Sequence, residues 1–204
     1  MKEFLNFDTV RNNALALAHK IYFEDNFVPD VIYASLRGGA YVANVISEYY
    51  KVALGGKKNI LFAAVVAKSY TDVSNQGAVR VDGWTYPPEN LRTDDKILIA
   101  DDIYDSGLTL NSLVKIIMEK GIKRENIKIA VHDYKVFSYK KALPVVPDYW
   151  CRKIPVKTPD DNRWINYNSH ELVGLTKQER EEYFYKPYPE LKNVLEDAFN
   201  KRQD

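Results

Sequence analysis

A run of eight apolar residues, ILFAAVVA (60–67), most constrains this chain. It is continuous rather than alternating, the pattern of a strand buried on both faces, which occurs in parallel sheets covered by helices. DVIYAS (30–35), KILIA (96–100) and NIKIAVHD (126–133) are further apolar runs of strand length. Between them lie AYVANVISEYY (40–50) and LTLNSLVKIIMEKG (108–121), which read as helices, the second stopped by Gly121. Strands alternating with helices imply parallel pairing through right-handed crossovers. The expected fold class is therefore α/β, a central, mostly parallel sheet flanked by helices. An amphipathic helix over 7–24, with Val10, Ala14, Leu17, Ala18 and Ile21 on one face and Asp8 as its cap, should open the chain.

Beyond Asp133 the texture changes to aromatics, prolines and turn formers, as in VPDYWCRKIP and KTPDDNRWINYNSHELVG. The reading is an α/β core over 1–135, a small C-terminal hood over 136–174 and a helical tail over 175–204. Tyr183, Tyr185 and Tyr188 of that tail read as packing against the core. The 204 residues, 46% hydrophobic, suit a core of this size. With 29 basic and 28 acidic residues the net charge is +1, so the electrostatic footprint of sequence-independent nucleic-acid binding is missing. No nucleic-acid partner and no membrane partner is expected. Cys151 is the only cysteine, which removes intrachain disulfides and cysteine-rich metal sites, and no stretch approaches the roughly 20 apolar residues of a membrane span. The expected location is the cytoplasm.

The chemistry concentrates at two strand exits, SLRGG (35–39) and DDIYDSGLT (101–109). In an open parallel sheet, ligands collect at the carboxyl ends of the strands, so both should face one crevice. Neither matches GxxxxGK[ST] or GxGxxG. A helix N-terminus after a strand attracts anions, yet Asp101, Asp102 and Asp105 would repel one. The conflict resolves if the acids accept sugar hydroxyls or hold a divalent cation while the backbone of Ser106, Gly107, Leu108 and Thr109 cradles a phosphate. Taken singly, the aspartates read as turn formers, Arg37 as a surface turn, Lys135 as a solvated strand-end lysine and His132 as structural.

DDIYDSGLTL after KILIA resembles the phosphoribosyl pyrophosphate (PRPP) signature of the type I phosphoribosyltransferases: an apolar strand, two acids, two residues, an acid, Ser or Thr, Gly and Thr. Tyr104 departs from it, standing where a small or aliphatic residue is common, and Ser106 replaces the more usual threonine. The resemblance implies that SLRGG is a pyrophosphate loop containing Leu36, Arg37, Gly38 and Gly39, with a non-proline cis peptide between Leu36 and Arg37. It places a mobile lid over 68–84, with Ser69 and Tyr70 at its start. It further implies Mg²⁺ as cofactor, Asp101 and Asp102 at the metal and ribose hydroxyls, Asp105 as the catalytic acid or base, and residues 106–109 on the 5-phosphate.

HDYK (132–135), PDYW, CRKIP and RWINY resemble the enzymes of 6-oxopurines, closest to the xanthine-guanine and hypoxanthine-guanine types. By that resemblance Lys135 donates to the purine O6, Trp164 stacks on the base and the Ile165 backbone meets its edge. The segment KTPDDN, just before Arg163, and the long tail are absent from compact members. The implied activity is transfer of a phosphoribosyl group from PRPP to guanine, hypoxanthine or xanthine in purine salvage, by a homo-oligomer, dimer or tetramer. Adenine or orotate as the base, and a non-catalytic PRPP-sensing regulator, remain the alternatives.

Overall fold

A computed structural model of the chain describes residues 2–69 and 79–201. In chain order the main elements are β1 (Lys2–Leu5), α1 (Phe7–His19), β2 (Val31–Leu36), α2 (Ala40–Leu54), β3 (Leu61–Ser69), β4 (Val79–Trp84), β5 (Ile97–Tyr104), α3 (Leu108–Met118), β6 (Ile127–Phe137), β7 (Tyr149–Val156), β8 (Trp164–Tyr167), α4 (Lys177–Arg180) and α5 (Leu191–Asn200). They divide into two units, residues 8–162 and residues 1–7 with 163–204. This division differs from the boundaries expected at 135 and 174.

The larger unit is built on a six-stranded sheet of order β4-β3-β2-β5-β6-β7. Only β4 runs antiparallel to its neighbour. The chain moves from β2 outward to β3, then returns to β5 and moves the opposite way to β6. Right-handed crossovers in opposite directions place their helices on opposite faces. Accordingly α2 packs on β2 and β5, whereas α3 packs on β3 and β4.

Alternation along the strands supplies both faces. Tyr33, Ile97, Ile99, Ile127, Ile129 and Val131 join Leu110, Leu113, Val114 and Ile117 of α3 in one buried cluster. The intervening Ile32, Leu98 and Ala130 are also buried, so these strands have no solvent face. Val42, Ile46 and Tyr50, at four-residue spacing, line the buried side of α2.

Several boundaries differ from the sequence reading. The opening helix is α-helical only to His19 and continues as a π-helical turn, Lys20–Glu24. Asp8 lies inside its first turn, where it complements the helix dipole instead of capping. The segment read as the start of a hood contributes β7, which pairs in parallel with β6 and completes the sheet. Its mixed polarity, YWCRKIPV, suits an edge strand with one neighbour.

In the smaller unit, β1 and β8 form a parallel pair in which Lys2 lies opposite Trp164 and Leu5 opposite Tyr167. Leu175, Phe184 and Tyr185 form its core, with Phe4, Leu195 and Phe199 packed against them. Phe4 and Tyr183 stack with ring centroids 3.9 Å apart, and Tyr188 meets Phe7 edge to face. The tail tyrosines thus pack within this unit. Thr176 caps α4 by accepting from the Glu179 amide, and Arg180 holds α5 through a 3.0 Å ion pair with Glu196. Among the described residues, no helix is long and apolar enough to cross a membrane.

Candidate functional site

Pairing between β2 and β5 stops at Ala34 and Ala100. Each strand then continues with its other neighbour: β2 pairs with β3 as far as Leu36, and β5 with β6 as far as Tyr104. The sheet therefore splits between β2 and β5, at the point where the winding direction reverses, and both predicted loops border the split. Asp101 and Asp102 lie inside β5, not beyond its exit as the sequence suggested. The β6 partner keeps this segment extended after β2 has turned away.

The loop after β2 packs tightly against the acids. The Leu36–Arg37 peptide is cis, as the sequence resemblance implies. The Gly39 amide donates to the Ser35 carbonyl at 2.8 Å. A Cβ on Gly38 would stand 2.3 Å from a carboxylate oxygen of Asp102, and one on Gly39 would stand 2.4 Å from the Ala100 carbonyl oxygen. Close approach to backbone requires glycine at 39, and at 38 it leaves room for the Asp102 carboxylate. Within β5 the Asp102 amide donates to the Asp101 carboxylate at 3.0 Å. Burial and the neighbouring Asp102 carboxylate hold the Asp101 carboxyl well above its usual range, against the opposing hydrogen bond from Ser35. Asp102 is itself only 8% exposed. Two crowded carboxylates offer oxygen ligands suited to a hard divalent cation, whose charge would relieve their repulsion.

On the other side of the split, the turn at 105–107 leads into α3. Gly107 adopts φ 77°, the left-handed region, and the Tyr104 ring occupies the space its Cβ would need, 2.2 Å away. This explains the unexpected tyrosine: it fills the back of the loop. Burial keeps the Tyr104 phenol protonated, and it donates to the Val145 carbonyl at 2.7 Å. Asn111, one turn into α3, donates to the Gly107 and Val145 carbonyls at 3.0 and 2.7 Å and accepts from the Val145 amide at 3.0 Å. The loop is thereby clamped to the 143–146 segment, and Leu108 and Thr109 start the helix with first-turn amides available to an anion.

Next to this loop lies a cavity of about 240 Å³ lined by Asp105, Ser106, Lys135, Phe137 and Lys140, among others. Lys135 is only 4% exposed, so the reading as a solvated strand-end lysine does not hold. Its ammonium donates to Asn162 Oδ1 at 2.8 Å and lies 3.4 Å from Asp105 Oδ2. The Asp105 side chain remains 44% exposed. Lys140 sits over the Phe137 ring at 4.1 Å.

The structure thus brings together Leu36, Arg37, Gly38 and Gly39 with Asp101 and Asp102, and Asp105, Ser106, Gly107, Leu108 and Thr109 with Lys135. Ser69 ends β3. Tyr70 and the middle of the expected lid, 70–78, lie outside the described residues. Trp164 and Ile165 begin β8 of the smaller unit: the Ile165 side chain is buried there, while the Trp164 indole is 59% exposed and donates to Glu171 Oε2 at 2.9 Å. His132 is structural, buried between Asn13 at 3.1 Å and Asp133 at 2.9 Å. Sequence reasoning missed Asn111 and Asn162, since a single asparagine carries no periodic or motif signal.

A family model of the phosphoribosyl transferase domain matches residues 4–170. The structure is similar to a purine phosphoribosyltransferase from Pyrococcus horikoshii Ot3, 26% identical, with 86% of this chain and 99% of that chain covered and a TM-score of 0.60. The xanthine-guanine-hypoxanthine phosphoribosyltransferase of Helicobacter pylori is 19% identical over 82% of this chain and 92% of its own, with a TM-score of 0.57. A hypoxanthine phosphoribosyltransferase from Staphylococcus aureus is 17% identical over 72% and 73%, with a TM-score of 0.55. At those identities the last two speak for the fold alone. No curated protein matches the sequence.

Proposed function

Because the chain belongs to the phosphoribosyl transferase domain family and is a type I phosphoribosyltransferase, we propose that it transfers the 5-phosphoribosyl group of PRPP to a 6-oxopurine, guanine, hypoxanthine or xanthine, in purine salvage. The observation that carries the choice of base is Lys135, a buried ammonium beside Asp105 at the wall of a cavity next to the phosphate loop. A buried cation needs acceptors for its donors. The 6-oxygen of an oxopurine is such an acceptor, whereas the amino group of adenine would bring a second donor.

In this reading the first-turn amides of α3 and the hydroxyls of Ser106 and Thr109 hold the 5-phosphate. Backbone amides of the loop over 36–39 take the pyrophosphate, with Gly38 and Gly39 letting the backbone approach. A purine ring nitrogen forms a bond to C1 of the ribose as the bond from C1 to the pyrophosphate oxygen breaks. Asp105 accepts the proton that the ring nitrogen gives up. The transition state resembles an oxocarbenium ion, so most of the rate gain comes from positioning and fixed charges. Asp101 and Asp102 would hold Mg²⁺, which when bound supplies counter-charge for the pyrophosphate.

The test is an absorbance assay of guanine, hypoxanthine, xanthine, adenine, orotate and uracil with PRPP and Mg²⁺. Turnover is expected with at least one oxopurine and not with adenine or the pyrimidines. Turnover confined to adenine or orotate would overturn the oxopurine reading, and pyrophosphate release with no base at all would overturn base transfer.

A further inference from the structure

The segment KTPDDN, which the resemblance to compact oxopurine enzymes leaves without a counterpart, ends in Asn162, and Asn162 is the nearest hydrogen-bond partner of Lys135. We infer that Asn162 is a positioning residue for base selection: its side-chain carbonyl holds the Lys135 ammonium off Asp105 and aims the remaining N–H at the 6-oxygen of the purine. The inference rests on the oxopurine reading above and adds a residue and a task to it.

The distances carry the argument. Lys135 has three N–H donors and, among the described residues, two acceptors: Asn162 Oδ1 at 2.8 Å and Asp105 Oδ2 at 3.4 Å. Electrostatics alone would draw an ammonium to the carboxylate, since a charged acceptor makes the shorter and stronger bond. The order here is reversed: the neutral amide is close and the carboxylate is distant. A neutral acceptor fixes the ammonium without cancelling its charge, which stays available to a ligand oxygen. Two acceptors for three donors leave one N–H, and in a residue this deeply buried an unmet donor is costly. The cavity that Lys135 lines is where a ligand acceptor would meet it.

Asn162 is itself held in place. In the preceding turn Thr158 and Asp161 form a reciprocal cap, with the Thr158 amide and hydroxyl each donating to Asp161 Oδ2 at 2.9 Å. The Asn162 amide then donates to the Pro159 carbonyl at 3.2 Å. The added segment is thus a short self-capped turn that delivers one carbonyl to Lys135. Without that carbonyl, Lys135 would close on Asp105. The base would lose its donor, and the proton acceptor would gain a cation in direct contact.

The experiment compares the full-length enzyme with Asn162→Ala, Asn162→Asp, Lys135→Ala and the double variant Asn162→Ala/Lys135→Ala. For each, kcat and KM are measured for an oxopurine, for adenine and for PRPP, and thermal melting checks folding. Asn162→Ala should lower the oxopurine-to-adenine ratio of kcat/KM on the order of tenfold while leaving KM for PRPP within about twofold. Asn162→Asp keeps an acceptor at that position but one that cancels the ammonium charge, and should also lower the ratio. If Asn162 acts through Lys135, the double variant should be no less selective than Lys135→Ala. An unchanged ratio in Asn162→Ala would overturn the inference, as would equal losses for PRPP and base, or additive losses in the double variant. Should Asn162→Ala fail to fold, an unchanged ratio in a folded Asn162→Asp would still refute it. Wild-type enzyme that uses no oxopurine would overturn the functional reading itself, a result separable from each of these.

Discussion

Replacing Gly39 with alanine should separate the loop after β2 from the acids of β5. An ideal Cβ at this position lies 2.4 Å from the Ala100 carbonyl oxygen, and 2.8 Å from both the Asp101 Cα and the Ser35 carbonyl oxygen. A carbon and a carbonyl oxygen meet at about 3.3 Å, so the overlap with Ala100 is about 0.9 Å. All three neighbours are backbone, and two belong to a strand hydrogen-bonded on both sides up to this point, so no side chain can swing away. Overpacking of this kind costs about 3 kcal/mol at the upper end of the usual range. For a chain of this length that is roughly 6–12 °C in Tm. The relief available is for the loop to withdraw by about the overlap, and a displacement near 1 Å at a binding loop can cost about 100-fold in rate.

Gly38→Ala is the internal comparison. Its Cβ would stand 2.3 Å from the Asp102 carboxylate, the far end of a side chain. Melting should change little, whereas the displaced carboxylate should raise the Mg²⁺ and PRPP concentrations needed for half-maximal rate. Thermal unfolding by circular dichroism and PRPP saturation at fixed Mg²⁺ measure both effects. A Gly39→Ala enzyme with native Tm and native KM for PRPP would refute the packing argument.

Asp101→Asn together with Asp102→Asn should raise KM for PRPP and weaken Mg²⁺ dependence, yet melt no lower than wild type without metal, because it removes a repulsive pair; normal turnover at low PRPP would count against the assignment. Asn111→Ala removes the clamp on Val145 and Gly107, which should cost about 1–3 kcal/mol and raise KM for PRPP more than KM for the base, measurable by chemical denaturation and steady-state kinetics. Burial and the Asp133 carboxylate push the Cys151 thiol up to about 12, so at pH 8 it is protonated and should alkylate with iodoacetamide slowly in the native protein and rapidly in denaturant. Rapid native labelling at pH 8 would show that the thiol is more open than the structure has it.

Patterns carried within a few consecutive residues were legible in the sequence. The apolar runs of β2, β5 and β6 named strands covered on both faces, although the run ILFAAVVA leaves Leu61 and Phe62 exposed, and DDIYDSGLT named a turn before a helix, because side-chain periodicity and turn chemistry are local properties. What depended on chain segments meeting at long range was not legible. That Asp101 and Asp102 lie within a strand follows from β6 continuing to pair after β2 has left. Lys2–Leu5 reads as nothing in particular until it pairs with a strand more than 150 residues away, at Trp164–Tyr167. Tyr104 looked like a departure from a motif until Val145 and Asn111 gave its hydroxyl partners. Lys135 read alone is a solvated lysine; the fold buries it, and Asn162, 27 positions further on, decides where its charge points. Local pattern determines which elements form, but the partners of a buried polar group are chosen by packing, which no window of sequence contains.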